Sequence, residues 1–494
     1  MKNYKKIFMK DLKIIFFSLF SLAIVSNIDA QYKIELEIPS FPNDTLLFGH
    51  YFSESLMLQD TFYTDATGKA TIKGEKDLPE GMYTIFFPNR NRFDLLIDED
   101  QTFSVKTETN NILKNTVIMG SRDNELFYDY LSYLDQKRKE SEKVQMRIKT
   151  PLSENDSIAA REELKKINQD VKKYVEEIIN KNPDLFISKF LISMKEVKVP
   201  EPPRDENGVL IDSSFSVKYY KKHYFDHFDL SDVRMLRTPL YEQKLKTYLN
   251  KWVYPLPDSI YREVDWLIEK SRTDTLLFKY MLTTLFNHYA SSKYAGMDAV
   301  YAYIAKNYYI PEASWSSPEF ISDLKERVEK INPLLIGKTA PDVELISVSD
   351  EHFMAAKNDT ALKRNPYVGR KFNLHQVEGD YIILYFWEAD CGHCKKTIPQ
   401  LYELWEKMNN NNIRLRVIAI SMLGGIEGKV KWTNFVNEHN TFGWINAWNP
   451  YDFSYKDVYD VASSNILYLL DGNMEIVAKK ISPDQVEQLI EKRN

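Results

Sequence analysis

The stretch YFWEADCGHCKKTIPQ, residues 385–400, holds both cysteines of a 494-residue chain, Cys391 and Cys394, three positions apart. Its flanks decide the reading. YIILYFW, residues 381–387, reads as a buried strand, and CGHCKKTIPQLYELWEKMNN, residues 391–410, reads as a helix. A C-x-x-C pair at a strand-to-helix junction is a redox arrangement. The first turn of a helix leaves N–H groups unpaired and carries the positive end of the helix dipole. That environment favours a thiolate and lowers a cysteine pKa from about 8.5 into the range ~3.5–7.5. Cys391 is therefore expected to be the attacking thiolate. Cys394, one turn on, is expected to be the shielded, resolving thiol. Gly392 leaves room for another chain to approach. His393, as imidazolium, would add positive charge and tune the pair. Glu388 and Asp390 would act the other way, because nearby negative charge raises a thiol pKa.

Other uses of the pair fit less well. Haem attachment needs C-x-x-C-H, and Lys395 follows Cys394. Structural zinc needs four ligands. A disulfide across three residues closes too small a loop to stabilise much. Two thiolates from each of two chains could still form a soft four-sulfur metal site, and that alternative stays open. His223 and His227 in HYFDHF have metal-ligand spacing, but a zinc-protease motif needs Glu where Tyr224 stands. They read as an exposed or interface pair. No bound cofactor or resident metal is expected beyond the Cys391–Cys394 pair itself. Phosphate-loop spacing and a nucleophile elbow are both absent from the sequence.

Working outward, the composition is that of a globular protein, with 44% hydrophobic and 28% charged residues. The formal charge of −6 offers no basic block for nucleic acid. Lys2, Lys5, Lys6, Lys10 and Lys13 precede the 13-residue apolar run IIFFSLFSLAIVS, and Ala30 follows as a small residue. This order predicts a secretory signal peptide over residues 1–30. An uncleaved anchor is the other reading, although a span needs about 20 apolar residues. Exported chains turn surplus cysteines into structural disulfides. With none to spare here, the pair is free for chemistry.

Residues 31–120 alternate apolar and polar positions in short runs separated by turns, which predicts an all-β, sandwich-like domain. Residues 121–332 carry helical periodicity and no motif. Residues 333–494 alternate strands with helices and close on a hairpin, SNILYLLDG with MEIVAKKI, and a last helix. Within them, DEHFMAAKNDTALKRNPYVGR, residues 350–370, reads as a polar loop. The fold class is therefore multidomain: all-β, then α-helical, then α/β.

GKTAPDVEL, YIILYFWEADCGHCKKTIPQL, VIAIS and NILYLLDGNMEIVAKKI give residues 333–494 a resemblance to thioredoxin-like domains. The likeness is greatest to the exported TlpA and ResA-type thiol–disulfide oxidoreductases. Residues 31–120 resemble a β domain found N-terminal to such modules in Bacteroidetes proteins, and the helical middle has the look of the same multidomain proteins. The resemblance places Trp387 at the aromatic position before the first cysteine, where it would shape the surface that meets a client. It places Pro399 at the proline inside the active-site helix. It also places Ser464 and Asn465 in the loop facing the dithiol, where the family carries a cis-proline. Asn465 replaces that proline, and a cis bond before another residue costs about 2.5–4 kcal/mol, so an altered loop is expected. Tyr385 stands where related proteins bury an acid, and Thr397 stands at a second such position.

The resemblance implies an extracytoplasmic enzyme that reduces or isomerises disulfides in client proteins and is recharged by an unidentified electron donor. Cys391, Cys394 and His393 would do the chemistry. Trp387, Gly392, Ser464 and Asn465 would meet the client. The other domains would supply client binding, homodimer formation or attachment to an assembly. The rival reading is a non-catalytic binding scaffold on the same fold, motivated by Asn465, Tyr385 and Thr397.

Overall fold

The computed structural model describes residues 31–150 and 153–493, so the expected signal segment lies outside the described residues. The chain forms two compact units. One contains residues 31–194 with Arg237–Pro239; the other contains residues 195–236 and 240–493. The helical span 121–332 contributes to both.

The first unit begins with eight strands: β1 (Tyr32–Glu37), β2 (Thr45–Phe52), β3 (Ser55–Tyr63), β4 (Lys69–Gly74), β5 (Gly81–Phe86), β6 (Arg92–Ile97), β7 (Thr102–Lys106) and β8 (Val117–Met119). They form two four-stranded sheets, ordered β4-β1-β7-β8 and β3-β2-β5-β6. The period-two pattern of β1 buries Ile34 and Leu36 and leaves Lys33 and Glu35 in solvent. Two long helices follow, α1 (Arg122–Lys149) and α2 (Glu154–Lys181), each with a serine N-cap, Ser121 and Ser153. Buried Asn124 ties α1 to β6. Its Oδ1 accepts from the Leu96 N–H at 2.7 Å, and its Nδ2 donates to the Leu96 carbonyl at 2.6 Å.

The second unit opens with helices that include Pro257–Ser271, Thr275–Ala290 and Pro318–Ile331. It continues into a seven-stranded sheet made of β9 (Glu344–Ser347), β10 (Arg370–Asn373), β11 (Tyr381–Trp387), β12 (Leu415–Ser421), β13 (Ile445–Trp448), β14 (Ile466–Asp471) and β15 (Ile476–Lys479). The order is β10-β9-β13-β12-β11-β14-β15. β11 runs parallel to β12 and antiparallel to β14. All seven residues of β11 are buried, and they divide by alternation. Ile383, Tyr385 and Trp387 enter one core with side chains from α3 (Gly392–Asn410), α4 (Gly425–His439) and α5 (Pro483–Arg493). Ile382, Leu384 and Phe386 enter the other, with Tyr455, Tyr459 and Tyr468. Sandwiched in this way, the strand fixes where its C-terminal end, and hence the cysteine turn, must lie.

Ion pairs join the helices of this unit to the sheet region. Arg327 grips Asp460 through two bonds, 2.5 and 2.9 Å, and Lys479 pairs with Asp298. The stretch 350–370, expected as a loop, instead holds the short helices Asp350–Ala356 and Thr360–Arg364. The side chains of Ser349 and Asp359 cap them by accepting backbone N–H groups, a local preference that the polar composition concealed.

One buried charge stands out on α4. Lys429 is fully buried, and its Nζ hydrogen-bonds to no protein group. It lies 4.6 Å from the ring centre of Trp432, 5.2 Å from Trp448 and 5.3 Å from Phe353. The rings attract the cation, but burial disfavours it and brings its pKa down to about 8. The folded protein therefore sheds this proton near pH 8, while an unfolded lysine keeps it to about 10.4. In that window the unfolded chain binds more protons, so stability rises with pH. Wild-type protein should gain stability relative to a Lys429→Met variant between pH 7 and 9.5, by up to about 1.4 kcal/mol per pH unit. Denaturant midpoints of both proteins across that range measure the effect; parallel curves would contradict it.

Candidate active site

Cys391 follows the end of β11 by four residues and is the N-cap of α3. Its backbone is extended, φ −76° and ψ 118°, and its sulfur accepts the Cys394 N–H at 3.4 Å. The sulfur thus does what a serine or aspartate oxygen does at other helix starts. The preceding turn is closed by the Cys391 N–H donating to the Glu388 carbonyl at 3.1 Å. Both thiols are free, Cys391 partly exposed and Cys394 fully buried.

The two sulfurs sit in opposite electrostatic settings. Partial burial pushes the Cys391 thiol up. The Ser464 hydroxyl, the Cys394 N–H and thiol, and the His393 backbone N–H together outweigh it, so its pKa lies below the ordinary thiol value. Burial pushes the Cys394 thiol up to about 11, and its hydrogen bond and charge interaction with Cys391 add to that. The Glu388 N–H and the Tyr385 hydroxyl pull in the other direction without prevailing.

The residues expected at the site divide as follows. Ser464 is brought to Cys391 as a hydrogen-bond donor. Gly392 is exposed, and a Cβ placed there would meet nothing within 4 Å, so the surface over it is open. His393 reaches the sulfur through its backbone N–H, and its side chain is exposed. Trp387 requires correction. It is 1% exposed and packs on Phe435 at 4.7 Å between ring centres, because the β11 alternation turns it into the core. It cannot form a client surface. Asp390 does not stand as a lone negative charge beside the thiol; Lys431 pairs with it at 2.6 Å. His223 closes a contact with Asp226 at 2.6 Å just past the end of a helix, so it does not share a helix face with His227. Among the described residues, no group of three or more His, Cys, Asp or Glu side chains is placed to hold a metal ion.

Asn465 has φ 68°, in the left-handed region that asparagine tolerates and proline cannot enter. Its N–H donates to the Phe386 carbonyl at 2.8 Å, a bond that a proline could not make. Its side-chain Oδ1 accepts the Tyr385 hydroxyl at 2.8 Å. Two of the positions that depart from the resemblance, Asn465 and Tyr385, therefore touch each other. The signal that could have joined them is that β11 and β14 are neighbours, with Tyr385 opposite Leu467 and Phe386 opposite Ile466.

Fold and site together define a thioredoxin-like protein with an N-terminal β domain. Comparison with known families places its parts. Residues 336–462 match the AhpC/TSA family, residues 32–127 match Domain of unknown function (DUF4369), and residues 157–332 match Domain of unknown function (DUF5106). No curated protein matches. Among solved structures, a thioredoxin-like protein from Bacteroides caccae is 18% identical, covering 61% of this chain and 100% of its own, with TM-score 0.43. A domain of a possible thiol-disulfide isomerase from Cytophaga hutchinsonii is 28% identical over 33% of this chain and 94% of its own, with TM-score 0.26. The thioredoxin domain of a Bacteroides vulgatus thiol-disulfide oxidoreductase is 19% identical over 32% of this chain and 96% of its own, with TM-score 0.25.

Two outcomes follow from the geometry. Iodoacetamide should label Cys391 first, with a rate midpoint below the ordinary thiol pKa. Ser464→Ala should move that midpoint upward, and mass spectrometry across pH reads both effects. Asn465→Pro should destabilise the protein by roughly 3 kcal/mol, because it loses the bond to Phe386 and cannot hold a positive φ. A urea midpoint equal to that of wild type would contradict this.

Proposed function

We propose that the protein is an extracytoplasmic thiol–disulfide oxidoreductase that reduces or isomerises disulfides in client proteins. The observation that carries this reading is the asymmetry of the two sulfurs: one accessible and acidified at a helix start, the other buried and kept protonated a turn behind. In the reductive direction, the Cys391 thiolate attacks a client disulfide. One client sulfur leaves as a thiolate and takes up a proton, and the other stays bonded to Cys391. Cys394 then gives its proton to solvent and attacks the Cys391 sulfur. The second client thiolate departs and the Cys391–Cys394 disulfide remains. The client gains two electrons and the protein loses two, which an external dithiol donor must restore. Gly392 supplies the open approach, and Ser464 and Asn465 form the facing loop.

A scaffold role that keeps the fold without turnover is the second reading. The left-handed backbone at Asn465 favours it, because a client strand would meet a loop unlike the proline loop of the resembling oxidoreductases. The export assignment rests on the sequence order of residues 1–30. Among the described residues, no helix is long and apolar enough to cross a membrane.

An insulin-reduction assay with dithiothreitol as donor tests the enzyme reading. Wild-type protein should accelerate precipitation, Cys391→Ser should abolish the acceleration, and Cys394→Ser should accumulate a mixed disulfide with insulin visible on a non-reducing gel. Wild-type protein no faster than the double serine variant would favour the scaffold.

A further inference from the structure

The exchange reading leaves one step without a helper. Cys394 is fully buried with its pKa raised to about 11, yet it must become a thiolate to release the client. The position where the resemblance expects a buried acid is Tyr385, also fully buried. Burial first, and then the charge of Cys394, push its phenol far above the ordinary value, so it stays protonated and cannot serve as a base. What it can do is donate. Its hydroxyl has one proton and two acceptors within reach: Asn465 Oδ1 at 2.8 Å and the Cys394 sulfur. The Thr397 hydroxyl supplies a further hydrogen bond to the same oxygen.

We propose that Tyr385 is a catalytic residue for the second half of the exchange, turning its hydroxyl proton from Asn465 onto the Cys394 sulfur as that sulfur becomes a thiolate. Asn465 is the positioning residue that holds the proton while Cys394 is still a thiol. This rests on the exchange reading above.

The hydrogen-bond inventory permits both states. While Cys394 is a thiol, its S–H can donate to the phenol oxygen and the phenol donates to Asn465. Once Cys394 gives its proton to solvent, its sulfur becomes a pure acceptor, and the phenol gains more by donating to it. Hydrogen bonds to an ionised partner are about twice as strong as neutral ones. The gain appears only as charge develops on sulfur, so it lowers the barrier of the step instead of strengthening the resting state. Asn465 is well suited to wait. Its backbone is pinned by the bond to Phe386, and its side-chain oxygen is left for Tyr385. The titratable groups facing Cys394 are Tyr385 from β11 and Cys391 from its own helix, while Glu388 contributes only its backbone N–H.

Stopped-flow reaction of the reduced full chain with the aromatic disulfide dithiobis(nitrobenzoate) separates the two halves. Attack by Cys391 releases the first equivalent of coloured thiolate, and attack by Cys394 on the resulting mixed disulfide releases the second. Tyr385→Phe should leave the first phase within about twofold, slow the second about tenfold and move its pH profile about one unit upward. Asn465→Gly keeps the positive φ and removes the competing acceptor, so its second phase should be faster than that of wild type, and an unchanged or slower one would overturn the role given to Asn465. Equal second phases in Tyr385→Phe and wild type would overturn the proposal and leave the exchange reading standing. Slowing of both phases alike would also overturn it, marking Tyr385 as structural. Release of a single equivalent by wild-type protein would overturn the exchange reading, and this proposal with it.

Discussion

A sulfur caps a helix well only when it carries negative charge, because a neutral thiol is a weak acceptor. Cys391 occupies the cap of α3, and its sulfur receives the amide of Cys394. The helix start and the thiolate therefore stabilise each other. The arrangement requires the turn after β11 to be held in register, and the strand's two-sided burial supplies that. A strand free on one face could slide or fray; this one has a packed core on each side. The reactive group is set by the most buried strand of the sheet.

The same strand supplies Tyr385, and its neighbour β14 supplies the loop that carries Asn465. A proline at 465 would leave Tyr385 without its present acceptor and the Phe386 carbonyl without its donor. An acid at 385 would place a carboxylate against an amide oxygen and a buried thiol. Each residue makes sense in the presence of the other. The three departures from the resemblance, Tyr385, Asn465 and Thr397, are one substitution of polar chemistry drawn from β11, the loop before β14 and α3.

Much of this was legible in sequence for identifiable reasons. YIILYFW has no polar interruption, so its burial on two faces follows, and the position of the dithiol follows from the strand end. The exposed–buried split of Cys391 and Cys394 is a matter of helical spacing. Trp387 escaped because an aromatic residue near a site suggests a surface, whereas strand alternation sends it inward with Tyr385. The helices of 350–370 escaped because serine and aspartate caps look like loop composition until the N–H groups they satisfy are seen. The pairing of Lys431 with Asp390, and of Tyr385 with Asn465, joins residues 41 and 80 positions apart, and no local pattern encodes such distances.

The grip of Arg327 on Asp460, with Lys479 on Asp298, has a mechanical meaning. These pairs couple the helix Pro318–Ile331, and the turn of helix that carries Asp298, to the loop and strand flanking the dithiol's facing segment, since Asp460 precedes Ser464 by four residues and Lys479 belongs to β15. The helices act as a handle bolted to the working head. Force or strain applied to them would arrive within a few residues of the two sulfurs, without crossing a linker.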